Sequence, residues 1–346
     1  MKVARFYAPG DIRLEDAPEP APGPGELKIR VRNCSTCGTD VKISRFGHHH
    51  IVPPRVMGHE IAGEVTEAGA GVRGWAAGDR VQVIAAIPDG TCPECRRGRM
   101  TVCTAQESMG YHYDGAFAEY MIVPAKVLAV EGVNRIPDGV SFAEASVAEP
   151  LACVLNGQEL AGVGEGDDVV VFGSGPVGCL HVRVARARGA ARVFLVEVNA
   201  ERLGRAAAIV KPDAAIDASA TDVAGEVLER TGGRGADVAI TAAASGAAQE
   251  QAQRLVAPGG RVSLFGGLPK DDPVISVDAN RVHYRELSLV GANGSSPAHN
   301  ARALELIGSG RVPVEDLITH RLPLDDLHAA LDLVTRGAAI KVTIEP

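Results

Sequence analysis

The sequence predicts an α/β chain of two domains. An irregular antiparallel β domain spans residues 1–150, a doubly wound parallel sheet spans 151–291, and residues 292–346 return to complete the first domain. Three observations carry this. At 346 residues the chain is long for one hydrophobic core. Its texture changes near residue 167, from short β-type runs to strands alternating with helices. At that change a buried-strand signal runs straight into a glycine-rich turn and a helical stretch.

The first half supplies Leu27–Arg32, Ile61–Ala68, Arg80–Ile84 and Ala118–Val123, separated by turn punctuation such as PAPGPGE and AAGD. Short branched-apolar runs broken by Gly and Pro read as antiparallel β structure. In the second half the strands are DVVVF, ARVFLVE, Asp237–Thr241, Gly260–Phe265 and Leu287–Gly291. Ala-rich helical stretches cover 178–188 and begin again at Ala200. That alternation implies parallel βαβ units. A helix near 298–309 and a last helix and strand close the chain.

Acidic residues outnumber basic ones, 43 to 35, and no basic block interrupts them, which argues against nucleic acid as a partner. There is no apolar stretch of signal-peptide length and no run of eighteen apolar residues, so neither secretion nor a membrane span is expected and the chain reads as cytoplasmic. In that compartment the seven cysteines are thiols or metal ligands rather than disulfides.

Val169–Phe172 leads into Gly173-Ser174-Gly175-Pro176-Val177-Gly178 and then a helix, which is the G-x-G-x-x-G pattern in its required setting. The first glycine permits the tight turn, the second admits a pyrophosphate, and the third lets helix pack on strand. The helix N-terminus offers free N–H groups to the phosphates. The next strand ends in Glu197, an acid placed to bind ribose hydroxyls and repel a 2′-phosphate. NAD is therefore expected over NADP, with Arg202 stacking on the adenine or covering the ribose. A glycine-rich turn with a surface glutamate is the plainer alternative.

Two groups of metal-competent residues lie in the β domain. The first is dispersed: Cys37 in CGTD, His59 and Glu60 in MGHE, and Glu149 in AEP. A catalytic zinc takes three protein ligands and an open position, but this spacing alone does not show convergence. The second is compact: Asp89, then Cys92-x2-Cys95-x7-Cys103. Three thiols in one polar loop suggest a structural zinc knuckle, with Asp89, water or nothing as the fourth partner. Cys34, Cys153 and Cys179 read as packing. His48, His49 and His50 suggest a metal, but consecutive side chains on an extended segment point apart. They read instead as a mobile loop near the substrate.

Taken together, GHEIAGEVTEAGAGV (58–72), CGTD, the cysteine loop, DGAFAEY (114–120), AEPLA and GSGPVG resemble the zinc-dependent medium-chain alcohol dehydrogenases. The resemblance covers nearly the whole chain. It is closest to the sorbitol (L-iditol) and threonine dehydrogenase branch, because Glu149-Pro150 stands where other alcohol dehydrogenases place a cysteine. It implies a GroES-like irregular β-barrel catalytic domain and a Rossmann cofactor domain, assembled as a homodimer or homotetramer. It implies that Cys37 and His59 ligate a catalytic zinc. Glu60 is a ligand or an exchangeable neighbour, and Glu149 binds directly or through water. Asp40 would orient His59, and Thr39 would pass the alcohol proton onward. Gly173, Gly175, Pro176, Val177, Gly178, Glu197 and Arg202 would hold NAD. Two positions depart from the family pattern. Asp89 replaces the usual first cysteine of the structural site, and Lys42 stands where many relatives carry a proton-relay histidine.

The reaction so implied is hydride transfer between a secondary alcohol and NAD, in a cleft between the domains. Lys42, His48 to His50, Tyr111, His112, Tyr113 and Asn293 are polar candidates for lining it, which suits a polyol, cyclitol or aminocyclitol, or else an amino alcohol such as threonine. A zinc-free reductase of the same superfamily is disfavoured by Cys37, His59 and Glu149. A non-catalytic NAD-binding sensor on the same fold is the rival from another class.

Overall fold

Alternation of apolar and polar residues puts Leu27, Ile29 and Val31 on the buried face of the strand Leu27–Ser35. This strand is central to a seven-stranded sheet. The spatial order is Val133–Arg135, Arg80–Val83, Glu60–Ala68, Leu27–Ser35, Lys341–Glu345 and Ile318–Pro323, with Tyr120–Val123 also paired to Leu27–Ser35. The chain's last strand thus enters the sheet beside one of its first. A three-stranded sheet of Asp11–Asp16, Lys2–Ala8 and Arg55–Val56 packs into the same apolar core, which includes Phe6, Ile61, Val83 and Phe117.

The computed structural model describes residues 1–346, and the chain divides into two compact units. Met1–Ala152 with Gly294–Pro346 form one unit, and Cys153–Asn293 form the other.

The second unit is built on six parallel strands. In spatial order they are Ala214–Asp217, Arg192–Glu197, Asp168–Phe172, Ala236–Thr241, Val256–Leu264 and Ser288–Gly291. Its central strand, DVVVF, is buried at every position, as a strand covered on both faces must be. The strand order reverses between Asp168–Phe172 and Ala236–Thr241. In such sheets the crevice at the carboxyl ends of those strands is the ligand position.

Helices differ from the sequence expectation in start in the second half and in existence in the first. The helix expected at 178–188 runs from Pro176 to Ala187, because proline at the first helical position costs no hydrogen bond. Five helices that begin in the first half were not foreseen: the short Pro93–Arg96, Ala125–Ala129 and Phe142–Ser146, and two longer ones. Gly38–Phe46 carries β-branched residues that disguise it, and Ala148–Leu160 begins at the AEP motif. No helix is long and apolar enough to cross a membrane.

Candidate active site

The dispersed metal-competent residues gather where two antiparallel strands end. Leu27–Ser35 and Glu60–Ala68 pair with Ser35 opposite Glu60, which brings the residues just beyond, Cys37 and His59, side by side. The ligand atoms of Cys37, His59 and Glu60 all lie within 4.8 Å of one another. Gly58 makes the approach possible. It sits at φ +92°, and a Cβ there would stand 2.8 Å from Cys34 Sγ and 2.9 Å from Phe117. No larger residue fits that conformation and that space.

Cys37 is the N-cap of the helix Gly38–Phe46. Asp40, buried in that helix's first turn, ties the group together. Its Oδ2 accepts the Cys37 N–H at 2.8 Å, and its Oδ1 lies 3.3 Å from His59 Nδ1. With Nδ1 turned to a carboxylate, Nε2 is the ring nitrogen left for a metal. Burial works against a charged His59, but Asp40 and then Cys37 raise its pKa well above the ordinary histidine value. Thr39 and Lys42 follow three residues apart on this helix, so they share a face. Thr39 is half-buried and Lys42 exposed.

Glu60 has no solvent exposure and forms an ion pair with Lys341, which is 2% exposed and also donates to the Thr36 carbonyl at 2.9 Å. Glu60 Oε1 is buried without a hydrogen-bond partner. Burial raises the Glu60 pKa; Lys341 opposes this, and Glu149 adds to it. Glu149, on the first turn of the helix Ala148–Leu160, is buried but lies outside the 4.8 Å group of Cys37, His59 and Glu60. Glu149 is close enough for its charge to act on Glu60 while standing outside that group. Lys341 is the residue that sequence reasoning missed. Its one signal was a lone lysine in the apolar closing strand Lys341–Glu345.

The compact group also converges. One ligand atom from each of Asp89, Cys92, Cys95 and Cys103 falls within the same 4.8 Å limit. Asp89 Oδ1 accepts the N–H groups of Thr91 and Cys92, both at 2.9 Å, and these bonds hold its carboxyl well below the usual range. Cys92 N-caps the short helix Pro93–Arg96, and the Cys95 N–H donates to its sulfur at 3.4 Å. Cys34, by contrast, lies in the hydrophobic core, where burial pushes its thiol pKa up.

In the second unit, Gly173 adopts φ +98°, and a Cβ on Gly178 would stand 1.8 Å from the Gly173 carbonyl oxygen. The third glycine of the pattern is therefore required by close packing. A cavity of about 490 Å³ opens beside this turn, lined by Gly173, Glu197, Arg202, Ser245 and Arg254 among others. Glu197 is held from all sides. It accepts from Ser174 N–H and Oγ, from the Val198 and Asn199 N–H groups, and from Arg202 Nε and Nη2 at 2.9 and 2.6 Å. Despite burial, the Arg202 guanidinium and the Ser174 N–H push its pKa down to about 2. Arg202 is thus engaged with Glu197.

Residues 23–134 match the family described as "Alcohol dehydrogenase GroES-like domain", and residues 176–309 match "Zinc-binding dehydrogenase". The chain belongs to the zinc-dependent medium-chain alcohol dehydrogenase superfamily. It is 36% identical to an L-threonine 3-dehydrogenase of Pyrococcus abyssi, over 99% of this chain and 96% of that one. It is 31% identical to a sorbitol dehydrogenase of Halalkalibacterium halodurans, over 99% and 98%. A crystal structure of a zinc-binding dehydrogenase from Sinorhizobium meliloti 1021, bound to NADP, superposes with a TM-score of 0.92 at 32% identity, covering 100% of this chain and 99% of that one. These relatives place the dehydrogenase in the sorbitol and threonine branch. Its fold is the GroES-like β domain with a Rossmann sheet, and its cofactors are zinc and a nicotinamide dinucleotide.

The residues present fit those cofactors. Thiolate, imidazole and carboxylate are zinc donors, and the unpartnered Glu60 Oε1 is a buried acceptor beside them. The close glycine turn at Gly173 and Gly178 suits a pyrophosphate. In this dehydrogenase the knuckle's aspartate can be tested directly. Wild-type protein is expected to carry two zincs per chain by elemental analysis. Asp89→Ala is expected to carry one, to keep its turnover, and to melt several degrees lower, because structural zinc contributes folding free energy.

Proposed function

We propose that this protein is a cytoplasmic NAD-dependent enzyme oxidising a secondary alcohol of a polyol, cyclitol or aminocyclitol to the ketone. The observation that carries the reaction is the convergence of Cys37, His59 and Glu60 beside the helix that bears Thr39. When bound, zinc would supply Lewis acidity to a substrate hydroxyl and the dinucleotide would supply a hydride acceptor. Cys37, His59 and Glu60 hold the metal, with Glu149 flanking them. Asp40 fixes the His59 ring through Nδ1. Thr39 Oγ1 would accept the alcohol proton while releasing its own to solvent, with the exposed Lys42 ammonium on the same helix face favouring the alkoxide by its charge. Gly173, Gly175, Pro176, Val177 and Gly178 cradle the pyrophosphate. Glu197, a carboxylate at neutral pH, favours NAD by repelling a 2′-phosphate, an effect that Arg202 tempers by neutralising it. The exposed Val274 and Tyr284, which precede the edge strand Ser288–Gly291 in the chain, and that strand's open edge support association of copies into a homodimer or homotetramer.

The sequence kinship to L-threonine 3-dehydrogenases favours a second reading, oxidation of an amino alcohol such as threonine. One panel separates the two: NAD and NADP reduction with polyols, cyclitols, aminocyclitols and threonine. The expected result is NAD reduction with a polyhydroxylated compound. Threonine as the best substrate would establish the second reading. Zinc-replete protein that reduces neither cofactor with any alcohol would leave a sensor on this fold.

A further inference from the structure

Four imidazoles stack in a row whose inner member, His48, meets Tyr111 near His59, and the reaction described above gives them no task. His48, His49 and His50 follow the helix Gly38–Phe46, and His112 follows the strand Glu107–Ser108. Sequence reasoning took the three consecutive histidines as pointing apart. The structure instead folds them into a turn at His49 and His50, and their rings pack together. Centroids are 4.5 Å apart for His48 and His49, 4.0 Å for His49 and His50, and 4.9 Å for His50 and His112. His48 meets Tyr111 edge-on at 4.9 Å, and the Tyr111 ring lies 6.2 Å from that of His59. The row therefore leads from exposed imidazoles to the candidate metal ligand.

Two of these rings have their protonation site fixed by the backbone. His48 Nδ1 accepts the His50 N–H at 3.3 Å, and His112 Nδ1 accepts the Ser108 N–H at 3.1 Å. A ring nitrogen that accepts carries no proton, so in the neutral ring the proton is on Nε2. Both side chains then offer one Nε2–H donor. A metal on Nε2 would force the proton onto Nδ1, against a backbone N–H. No three of these nitrogens converge as Cys37, His59 and Glu60 do. The row is thus built as a donor surface and not as a third metal site. Burial and the neighbouring imidazoles hold His48 and His112 below the ordinary histidine pKa, which keeps the donors uncharged near neutrality.

We propose that His48 and His112 are the substrate-recognition residues of this enzyme, donating Nε2–H hydrogen bonds to the non-reacting oxygens of a hydroxyl-rich substrate. This rests on the polyol or cyclitol reading above. Uncharged donors fixed by the backbone suit neutral hydroxyls, whose lone pairs accept without a charge to neutralise. A simple secondary alcohol has no second oxygen for them to hold.

The test compares myo-inositol, or sorbitol if it is the faster, with cyclohexanol as the mono-alcohol control. His48→Phe and His112→Phe keep a ring in the stack and remove the donor; His48→Asn and His112→Gln keep a donor. Each Phe variant is expected to lower kcat/KM for the polyhydroxylated substrate about tenfold, mostly through KM, with cyclohexanol within about twofold of wild type. The amide variants should recover part of the loss. Imidazole nitrogen NMR gives a readout independent of turnover, with Nε2–H expected for both rings. Equal losses on both substrates, no loss on the polyhydroxylated one, or an Nδ1–H ring would overturn the inference while the polyol reading stands. Wild-type enzyme that oxidises no polyhydroxylated compound would overturn both.

Discussion

Replacing Cys37 with serine is expected to reduce turnover by at least about a thousandfold, with the fold and NAD binding intact. Outer partners of metal ligands already cost roughly 10–100-fold when removed, so a direct ligand should cost more. Serine is a poor substitute at a zinc site, since its hydroxyl stays protonated where a thiol becomes a thiolate. The fold should tolerate it. Cys37 caps the helix Gly38–Phe46, and serine is among the preferred N-cap residues. The dinucleotide turn Gly173–Gly178 lies in the other unit and does not depend on this cap. Cys34, three residues earlier, should behave in the opposite way. It is fully buried against Gly58, so Cys34→Ser is expected to lower stability and keep turnover. Elemental zinc, NAD titration and calorimetry on the two variants separate the outcomes. Cys37→Ser protein that keeps both its catalytic zinc and its turnover would overturn the role given to Cys37.

What the sequence disclosed follows the range over which each feature is encoded. The turn Gly173–Gly178 was legible because every part of it is local: a buried strand, three glycines and a helix start. The same holds for Asp89, Cys92, Cys95 and Cys103, which sit in one loop and converge there. Cys37, His59 and Glu60 could be named as candidates, but spacing could not show that they meet. That depends on the pairing of Ser35 with Glu60, a register between strands 25 residues apart. The histidine turn was misread because the backbone direction, not the residue types, decides whether neighbouring rings diverge or stack. Arg202 was read as an adenine or ribose contact; the structure adds a partner that reading did not name, Glu197, at the cavity beside the glycine turn. Lys341 lay beyond reach altogether. Its partner Glu60 is 281 positions away, and a lysine in a short closing strand reads as a surface charge.

That lysine carries the largest expected effect on stability. Lys341→Met is expected to destabilise the metal-free protein by about 3–5 kcal/mol, the usual cost of leaving one member of a buried ion pair alone. The loss has three sources. Glu60 would keep its burial without its counter-charge, it would still face the repulsion of Glu149, and the Thr36 carbonyl would lose the donor that Lys341 supplies. Burial disfavours the charged lysine as well, and only Glu60 and its acidic neighbours hold the Lys341 pKa above its ordinary value. Much of the cost therefore belongs to the orphaned charge and not to the bond itself. Glu60→Gln combined with Lys341→Met removes both charges and should recover a substantial part of the stability. The double variant should not recover turnover, because the carboxylate proposed to complete the metal group is gone. Thermal and denaturant unfolding of the two single variants and the double variant gives the coupling, and zinc affinity on the same proteins gives the second readout. Two single losses that simply add in the double variant would show that Lys341 and Glu60 act independently, and that Lys341 does not position the carboxylate.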